Sequence, residues 1–171
     1  MLTQRLSPLG QIDNEYVDKL IQTTKNNPGS CDEIWFTCLF GYPKYEDIVE
    51  FAEKLKPVAE KFRENGIRVS LQISNTIGHG DHSLAMDCSG LVFEGSPAEL
   101  LMGAEGAQAK AMFCWRGEFF KNYIIKGIAE FAKLNPHTIW IDDDFRSTAH
   151  KILECCFCEN CIKKFNEQYG Y

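Results

Sequence analysis

Short apolar runs alternate along this chain with longer segments in which apolar residues recur at helical spacing. The segments 33–40 and 138–142 are almost wholly apolar, 111–115 is a shorter run of the same kind, and 67–74 alternates apolar and polar residues. Continuous apolar runs of this length are typical of strands buried on both faces, and alternation is typical of a strand with one face less buried. The pattern therefore predicts four strands.

Apolar residues recur every three or four positions in the segments between these strands. The predicted helices span 12–24, 45–64, 118–134 and 159–169. Asp13 is placed to cap the first helix, Pro57 should kink or split the second, and Asn65-Gly66 should end it. Because strands that alternate with helices require a parallel sheet with right-handed crossovers, we expect an α/β fold.

The stretch 75–110 is the least regular part of the chain and contains many glycines. A connection of this length inside a compact domain usually holds extra elements or a functional loop, and a short hairpin around 91–93 is one interpretation. Gly78-His79-Gly80 lacks the third glycine of a dinucleotide-binding signature. Nucleotide binding is therefore not supported.

The length, composition and net charge of the chain limit the classes of protein to which it can belong. A chain of 171 residues with 44% hydrophobic content fits one packed domain, which we expect to span 1–171. Its net charge of -6 argues against nucleic acid or an anionic membrane as the partner. No apolar run reaches the 18 or so residues that cross a bilayer, and the first ten residues do not resemble a signal peptide, so a cytoplasmic protein is expected.

Three of the eight cysteines lie within six residues, as Cys156, Cys158 and Cys161. Their spacing lets them converge on one tetrahedral metal ion, most often Zn²⁺. Cys114, at the end of another predicted strand, is the best candidate for the fourth ligand. Four thiolates leave no open position, so the zinc would be structural. The remaining cysteines are interpreted as buried free thiols: Cys31, Cys38, Cys88 and Cys155.

The predicted strand 138–142 runs directly into three carboxylates and, shortly after, an arginine. These residues are Asp142, Asp143, Asp144 and Arg146. The C-terminal ends of parallel strands are where (β/α) enzymes keep their chemistry, so this acidic end is the candidate site. The alternative is that one carboxylate caps a turn while another pairs with Arg146.

Taken together, the acidic strand end and the cysteine cluster resemble the catalytic barrel of family 42 glycoside hydrolases, the β-galactosidases, and related glycosidase-like proteins of gut bacteria. The resemblance extends from about Glu33 to Tyr171 and covers the first half of that barrel, about four βα units of a TIM-type fold. It implies a zinc cluster completed by Cys114. It also implies that Asp144, where the family has glutamate, is the catalytic acid, with the nucleophile supplied from outside this chain.

The resemblance implies hydrolysis of a β-linked sugar, with substrate contacts from Asp142, Asp143 and Arg146. His79 and Trp115 are further candidates for contacts with the sugar, although a surface loop histidine and a core aromatic are the simpler interpretations. The expected partners are a carbohydrate and either a missing C-terminal half of the barrel or a second copy of the chain. Two other functions remain open: a non-catalytic zinc-stabilised carbohydrate-binding or interaction domain, and a redox or metal-handling protein that uses 155–161.

Overall fold

The computed structural model describes residues 1–6, 12–39, 42–74, 76, 99–142 and 155–171. Six strands and four helices lie in these ranges: β1 Thr3–Leu6, α1 Asn14–Asn26, β2 Glu33–Thr37, α2 Tyr45–Glu64, β3 Arg68–Ile73, β4 Leu100–Met102, β5 Gln108–Phe113, α3 Glu118–Ala132, β6 Ile139–Ile141 and α4 Glu159–Tyr169. The hairpin predicted around 91–93 lies outside the described residues.

Two compact units make up the chain. The first comprises Met1–Leu39, Tyr45–Ser74 and Gly127–Ile141, and the second Phe40–Lys44, Asn75–Lys126 and Asp142–Tyr171. The boundary between them falls within α3. That 1–171 behaves as a single domain stays a prediction.

The first unit is built on a four-stranded sheet in the order β1-β2-β3-β6, and every neighbouring pair is parallel. The predicted parallel sheet is therefore confirmed. β1 was not predicted, because Thr3, Gln4 and Arg5 are polar and exposed and give no apolar run. It is recognisable only from its register, in which Leu6 lies beside Phe36 of β2.

One strand prediction is wrong. The run 111–115 was assigned to the parallel sheet, but β5 instead pairs antiparallel with β4, and β6 lies directly beside β3. The cause is a tight turn between β4 and β5, in which the Gly103 N–H donates to the Ala107 carbonyl over 2.7 Å. Gly106 has φ +80°, a conformation that glycine adopts without strain. A two-stranded hairpin thus takes the place of the expected third parallel strand.

The two faces of the parallel sheet differ in chemistry, because side chains alternate along each strand. One face is aliphatic and aromatic, and α2 packs on it through Phe62, whose ring lies 5.9 Å from that of Phe36. α1 and the end of α3 lie against α2; Phe51 and Phe131, for example, meet edge to face at 6.3 Å. This face carries Leu6, Ile34, Phe36, Val69, Leu71, Ile73 and Ile139.

The opposite face is polar and aromatic. It carries Arg5, Glu33, Trp35, Thr37, Ser70, Gln72 and Trp140. The rings of Trp35 and Trp140 lie 5.7 Å apart, and the Arg5 guanidinium stands 5.5 Å from the Trp35 ring. The Arg5 Nε donates to the Thr37 hydroxyl at 3.0 Å, which holds the guanidinium over the ring.

A buried hydrogen-bond chain crosses three strands on this polar face. The Thr138 N–H donates to the Ser70 hydroxyl over 3.0 Å, and that hydroxyl donates to the Glu33 carboxylate. Both Ser70 and Glu33 are buried, so neither side chain can exchange its partner for bulk water. The chain therefore links β2, β3 and the approach to β6.

The ends of two helices follow the sequence signals. Asp13 accepts a hydrogen bond from the Tyr16 N–H at 2.7 Å and caps α1, as predicted. Gly66, with φ +77°, ends α2: its N–H reaches the Arg63 carbonyl and the Ile67 N–H reaches the Phe62 carbonyl. α2 is continuous through Pro57, so of the two predicted outcomes the split does not occur, and a kink stays a prediction. None of the helices in the described ranges has the length and apolarity needed to cross a membrane.

Replacing Ser70 with alanine tests the buried chain. The change leaves the Glu33 carboxylate and the Thr138 N–H without this partner in a buried place, and we expect the free energy of unfolding to fall by about 1–3 kcal/mol. Urea titration followed by circular dichroism measures the loss. The control is Ser30→Ala, which removes the hydroxyl of an exposed loop serine. Equal midpoints in the two variants would show that the hydroxyl does not hold the strands together.

Candidate metal centre

Four cysteines converge in the second unit. The sulfur atoms of Cys114, Cys156, Cys158 and Cys161 all lie within 4.8 Å of one another. The Cys114 sulfur is 3.5 Å from that of Cys161 and 3.8 Å from that of Cys158. The ligand set predicted from the sequence is therefore brought together, and the group could hold a metal ion.

Cys114 is positioned by the hairpin that it follows. Its N–H donates to the Glu99 carbonyl at 2.8 Å, which continues the β4–β5 ladder by one residue, and its own carbonyl accepts from Gly117 at 2.9 Å. Behind it, the Phe113 ring is held between Tyr42, 4.1 Å away, and Phe120, 5.0 Å away. The cysteine thus leaves a rigid strand end at a tight turn, with its side chain fully buried.

Gly117 leaves room at that turn for the Glu99 side chain. A β-carbon at this position would lie 2.7 Å from a carboxylate oxygen of Glu99 and 3.0 Å from the Cys114 carbonyl. The same carboxylate accepts hydrogen bonds from the Glu118 and Phe119 N–H groups at 3.0 and 3.3 Å. An anion at this place caps the first turn of α3 and complements its dipole. Only a residue without a side chain lets the carboxylate come so close.

The other three cysteines are anchored to the same hairpin. Between Cys156 and Cys158, the Phe157 N–H donates to the Met102 carbonyl of β4 at 2.7 Å. Within α4, the Asn160 side-chain amide donates to the Arg116 carbonyl at 2.8 Å. These two bonds hold the short cysteine segment along the hairpin. The start of α4 therefore faces the end of β5.

The sulfur separations fit a tetrahedral ion. A Zn–S bond of about 2.3 Å places the sulfurs of a tetrahedral site about 3.8 Å apart, close to the two separations given above. Cys158 occupies the N-cap position of α4 and makes no side-chain capping hydrogen bond. A thiolate there benefits from the positive end of the helix dipole while remaining available to a metal.

Burial makes these thiols hard to ionise without a cation. Desolvation raises the pKa of Cys114 to about 11 and is also the main cause of the raised pKa of Cys161. At Cys158 desolvation opposes ionisation too. Hydrogen bonds from the Cys161 N–H and from the neighbouring thiols outweigh it, so the pKa of Cys158 is lowered. A metal ion supplies the charge that the buried sulfurs lack.

An apolar cavity of about 370 Å³ adjoins the cluster. It is lined by Trp115, Arg116, Cys155, Cys156, Phe157, Cys161, Ile162 and Phe165. Trp115 lines this cavity and is 37% exposed, so it is not a core aromatic, and its contact with a sugar stays a prediction. Cys155 is exposed, which contradicts its interpretation as a buried thiol; Cys31 and Cys38 are buried as expected.

The acidic candidates fall partly outside the described residues. Asp142 is half-buried and directly follows β6. The positions of Asp143, Asp144, Arg146 and His79 lie outside the described ranges, as does that of Cys88. Their roles as acid or substrate contacts stay predictions.

Sequence reasoning missed the Arg5, Trp35 and Trp140 group. A signal for it exists in the alternation of the strands, since Trp35 and Trp140 lie on the same sheet face as Ser70 and Gln72. Arg5 could be added to the group only by recognising Thr3–Leu6 as a strand, and the polar residues of that segment give no strand signal.

Removing one ligand tests the cluster. In Cys114→Ser we expect zinc affinity to fall by more than about 100-fold, because even changes to groups that only orient metal ligands cost 10–100-fold. Competition with a chromogenic chelator measures the affinity. The control is Cys155→Ser, which removes an exposed thiol outside the cluster and should leave the affinity unchanged. Unaltered zinc binding in Cys114→Ser would contradict the four-sulfur site.

The raised thiol pKa values also predict how metal affinity depends on pH. Cys114 and Cys161 are protonated at neutral pH in the metal-free protein, so binding must displace at least their two protons. Each displaced proton makes the affinity rise about tenfold per pH unit. Chelator competition between pH 6 and pH 8 should therefore show at least about a 100-fold rise per unit. A flat profile would contradict metal binding through these thiols.

No family model and no curated protein matches this chain. The case for its function therefore depends on the geometry of the cysteine centre and of the sheet.

Proposed function

We propose that this chain is a zinc-stabilised part of a (β/α) barrel in a glycoside hydrolase-like protein that acts on a β-linked sugar. The observation that carries the proposal is the convergence of Cys114 with Cys156, Cys158 and Cys161. A four-thiolate set suits a structural Zn²⁺, which would fix the segment following the acidic strand end. Zinc thiolate sites also suit a reducing compartment, in keeping with a cytoplasmic location.

Strand order supports the barrel. Sequential parallel strands joined by right-handed crossovers place all their helices on one face of the sheet. Here α2 packs on the aliphatic face, as the Phe36–Phe62 contact shows. In a barrel of eight strands the opposite face is the inner wall. The polar face of β1, β2, β3 and β6 would then be part of that wall.

A partner would complete the barrel. Four parallel strands lie in the described part of the chain, and eight close a TIM-type barrel. The further strands would come from a C-terminal half or from a second copy of this chain, pairing with β1 and β6. The nucleophile, a second carboxylate about 5 Å from the acid in a retaining enzyme, would come with them.

The aromatic residues of the polar face support a sugar ligand. Trp140 is 46% exposed and lies beside the half-buried Trp35. Aromatic rings offer flat apolar surface to the C–H groups of a sugar ring, and Arg5 offers donors to its hydroxyls. Asp144 would donate the proton to the leaving oxygen, with its pKa raised by the neighbouring carboxylates.

The second candidate function is a non-catalytic zinc-stabilised carbohydrate-binding or interaction domain. The apolar cavity beside the cysteine centre favours it, because Phe157, Ile162 and Phe165 are each more than 40% exposed there. Exposed apolar groups next to a rigid metal site are a common basis for binding a partner.

A chromogenic β-galactoside separates the two functions. For the enzyme we expect hydrolysis when the zinc-loaded protein is assembled with the strands that complete the barrel. This rate should fall at least about 100-fold in Asp144→Asn, since a general acid contributes 10²–10⁴-fold. The control is Asp18→Asn, the same change at an exposed carboxylate of α1, which should not alter the rate. Galactoside binding without turnover, unaffected by Asp144→Asn, would favour the binding domain. If the protein neither binds nor hydrolyses the galactoside, both sugar functions are contradicted.

A further inference from the structure

The four sulfurs of the metal centre differ in accessibility. Cys114 is fully buried, and Cys156 and Cys161 keep only 9% and 8% of their surface exposed. Cys158 is half-buried and is the most accessible member. A small oxidant in solution therefore meets the Cys158 sulfur first. Susceptibility of thiols to oxidation follows accessibility and thiolate character, and metal-bound sulfur is a thiolate.

Cys161 shares a helical turn with Cys158, which makes it our candidate to react with an oxidised Cys158. The two are the N-cap and third residue of α4, so they lie on the same helical turn. Side chains three residues apart on a helix have β-carbons about 5–6 Å apart. A disulfide needs about 3.5–4.5 Å between its β-carbons, so closure requires the two residues to approach each other by about 1–2 Å. The sulfurs already lie within 4.8 Å.

We propose that Cys158 and Cys161 form a reversible disulfide when the centre meets hydrogen peroxide, with release of the metal ion. The inference rests on the proposed metal centre. The Cys158 thiolate attacks the peroxide O–O bond, forming a sulfenic acid and releasing water after protonation. The Cys161 thiolate then attacks that sulfur, the S–S bond forms, and a second water leaves. Two thiolates lose two electrons, the peroxide gains them, and two protons are consumed.

Oxidation would loosen α4 from the hairpin. A disulfide between Cys158 and Cys161 is internal to α4, and two thiolates, those of Cys114 and Cys156, are too few to hold zinc. The Asn160–Arg116 and Phe157–Met102 hydrogen bonds remain as links between the two segments. A helix of 11 residues is marginal in water without tertiary support. The centre therefore couples the redox state to the attachment of α4.

The experiment treats the zinc-loaded protein with hydrogen peroxide and follows zinc release with a chromogenic chelator. Proteolysis after Glu154 and Glu159 separates Cys161 from the three cysteines of the 155–159 peptide. The two peptides stay joined only if a disulfide links them, and fragmentation in the mass spectrometer identifies whether the linked residue is Cys158. We expect one zinc released per chain, a 155–159 peptide joined to a 160–167 peptide, and recovery of both zinc binding and separate peptides after reduction with dithiothreitol.

The Cys155→Ser variant removes the exposed neighbouring thiol and should give the same release and the same joined peptides. Retention of zinc while Cys155 alone is oxidised would overturn the inference, as would a cross-link from Cys114. The zinc content measured before oxidation distinguishes failure of the metal centre from failure of the disulfide switch. A chain that binds no zinc contradicts the metal centre and the release step with it, whereas a zinc-loaded chain that resists peroxide contradicts only the switch.

Discussion

The second unit depends on bringing four thiols from two distant segments to one point. Cys114 follows β5, while the other three lie around the start of α4. The described contacts between these segments are few hydrogen bonds and a partly exposed apolar surface. A structural zinc contributes about 10–16 kcal/mol of apparent binding free energy, comparable to the whole net stability of a typical domain. The proposed ion would therefore decide whether α4 is held against the hairpin.

The first unit is stabilised by a different kind of interaction. Its aliphatic sheet face is covered by helices, as the fully buried Phe36 and Phe62 show. Its polar face contains a buried carboxylate, Glu33, which is tolerated because Ser70 donates to it. This difference between the faces is compatible with the barrel proposed above, whose outer face would meet helices.

The sequence predicted those parts of the structure whose signals are local. Helical spacing located all four helices, and Asp13 and Gly66 ended two of them correctly because capping depends on one or two residues. The convergence of the four cysteines was predicted correctly because three cysteines within six residues, Cys156, Cys158 and Cys161, are hard to explain as separate buried thiols. The pairing of β5 could not be predicted, because an apolar run does not say which strand lies beside it. The β4–β5 turn is recognised from the hydrogen bond between Gly103 and Ala107, which only the structure shows. β1 was missed because its residues are polar.

X-ray absorption spectroscopy at the zinc edge of the metal-loaded protein tests the central claim most directly. Four cysteine ligands predict a first shell of four sulfur atoms at about 2.3 Å, with no nitrogen or oxygen scatterer. A shell that contains nitrogen or oxygen near 2.0 Å, or fewer than four sulfurs, would contradict the four-thiolate centre and the part it is given in holding the chain together.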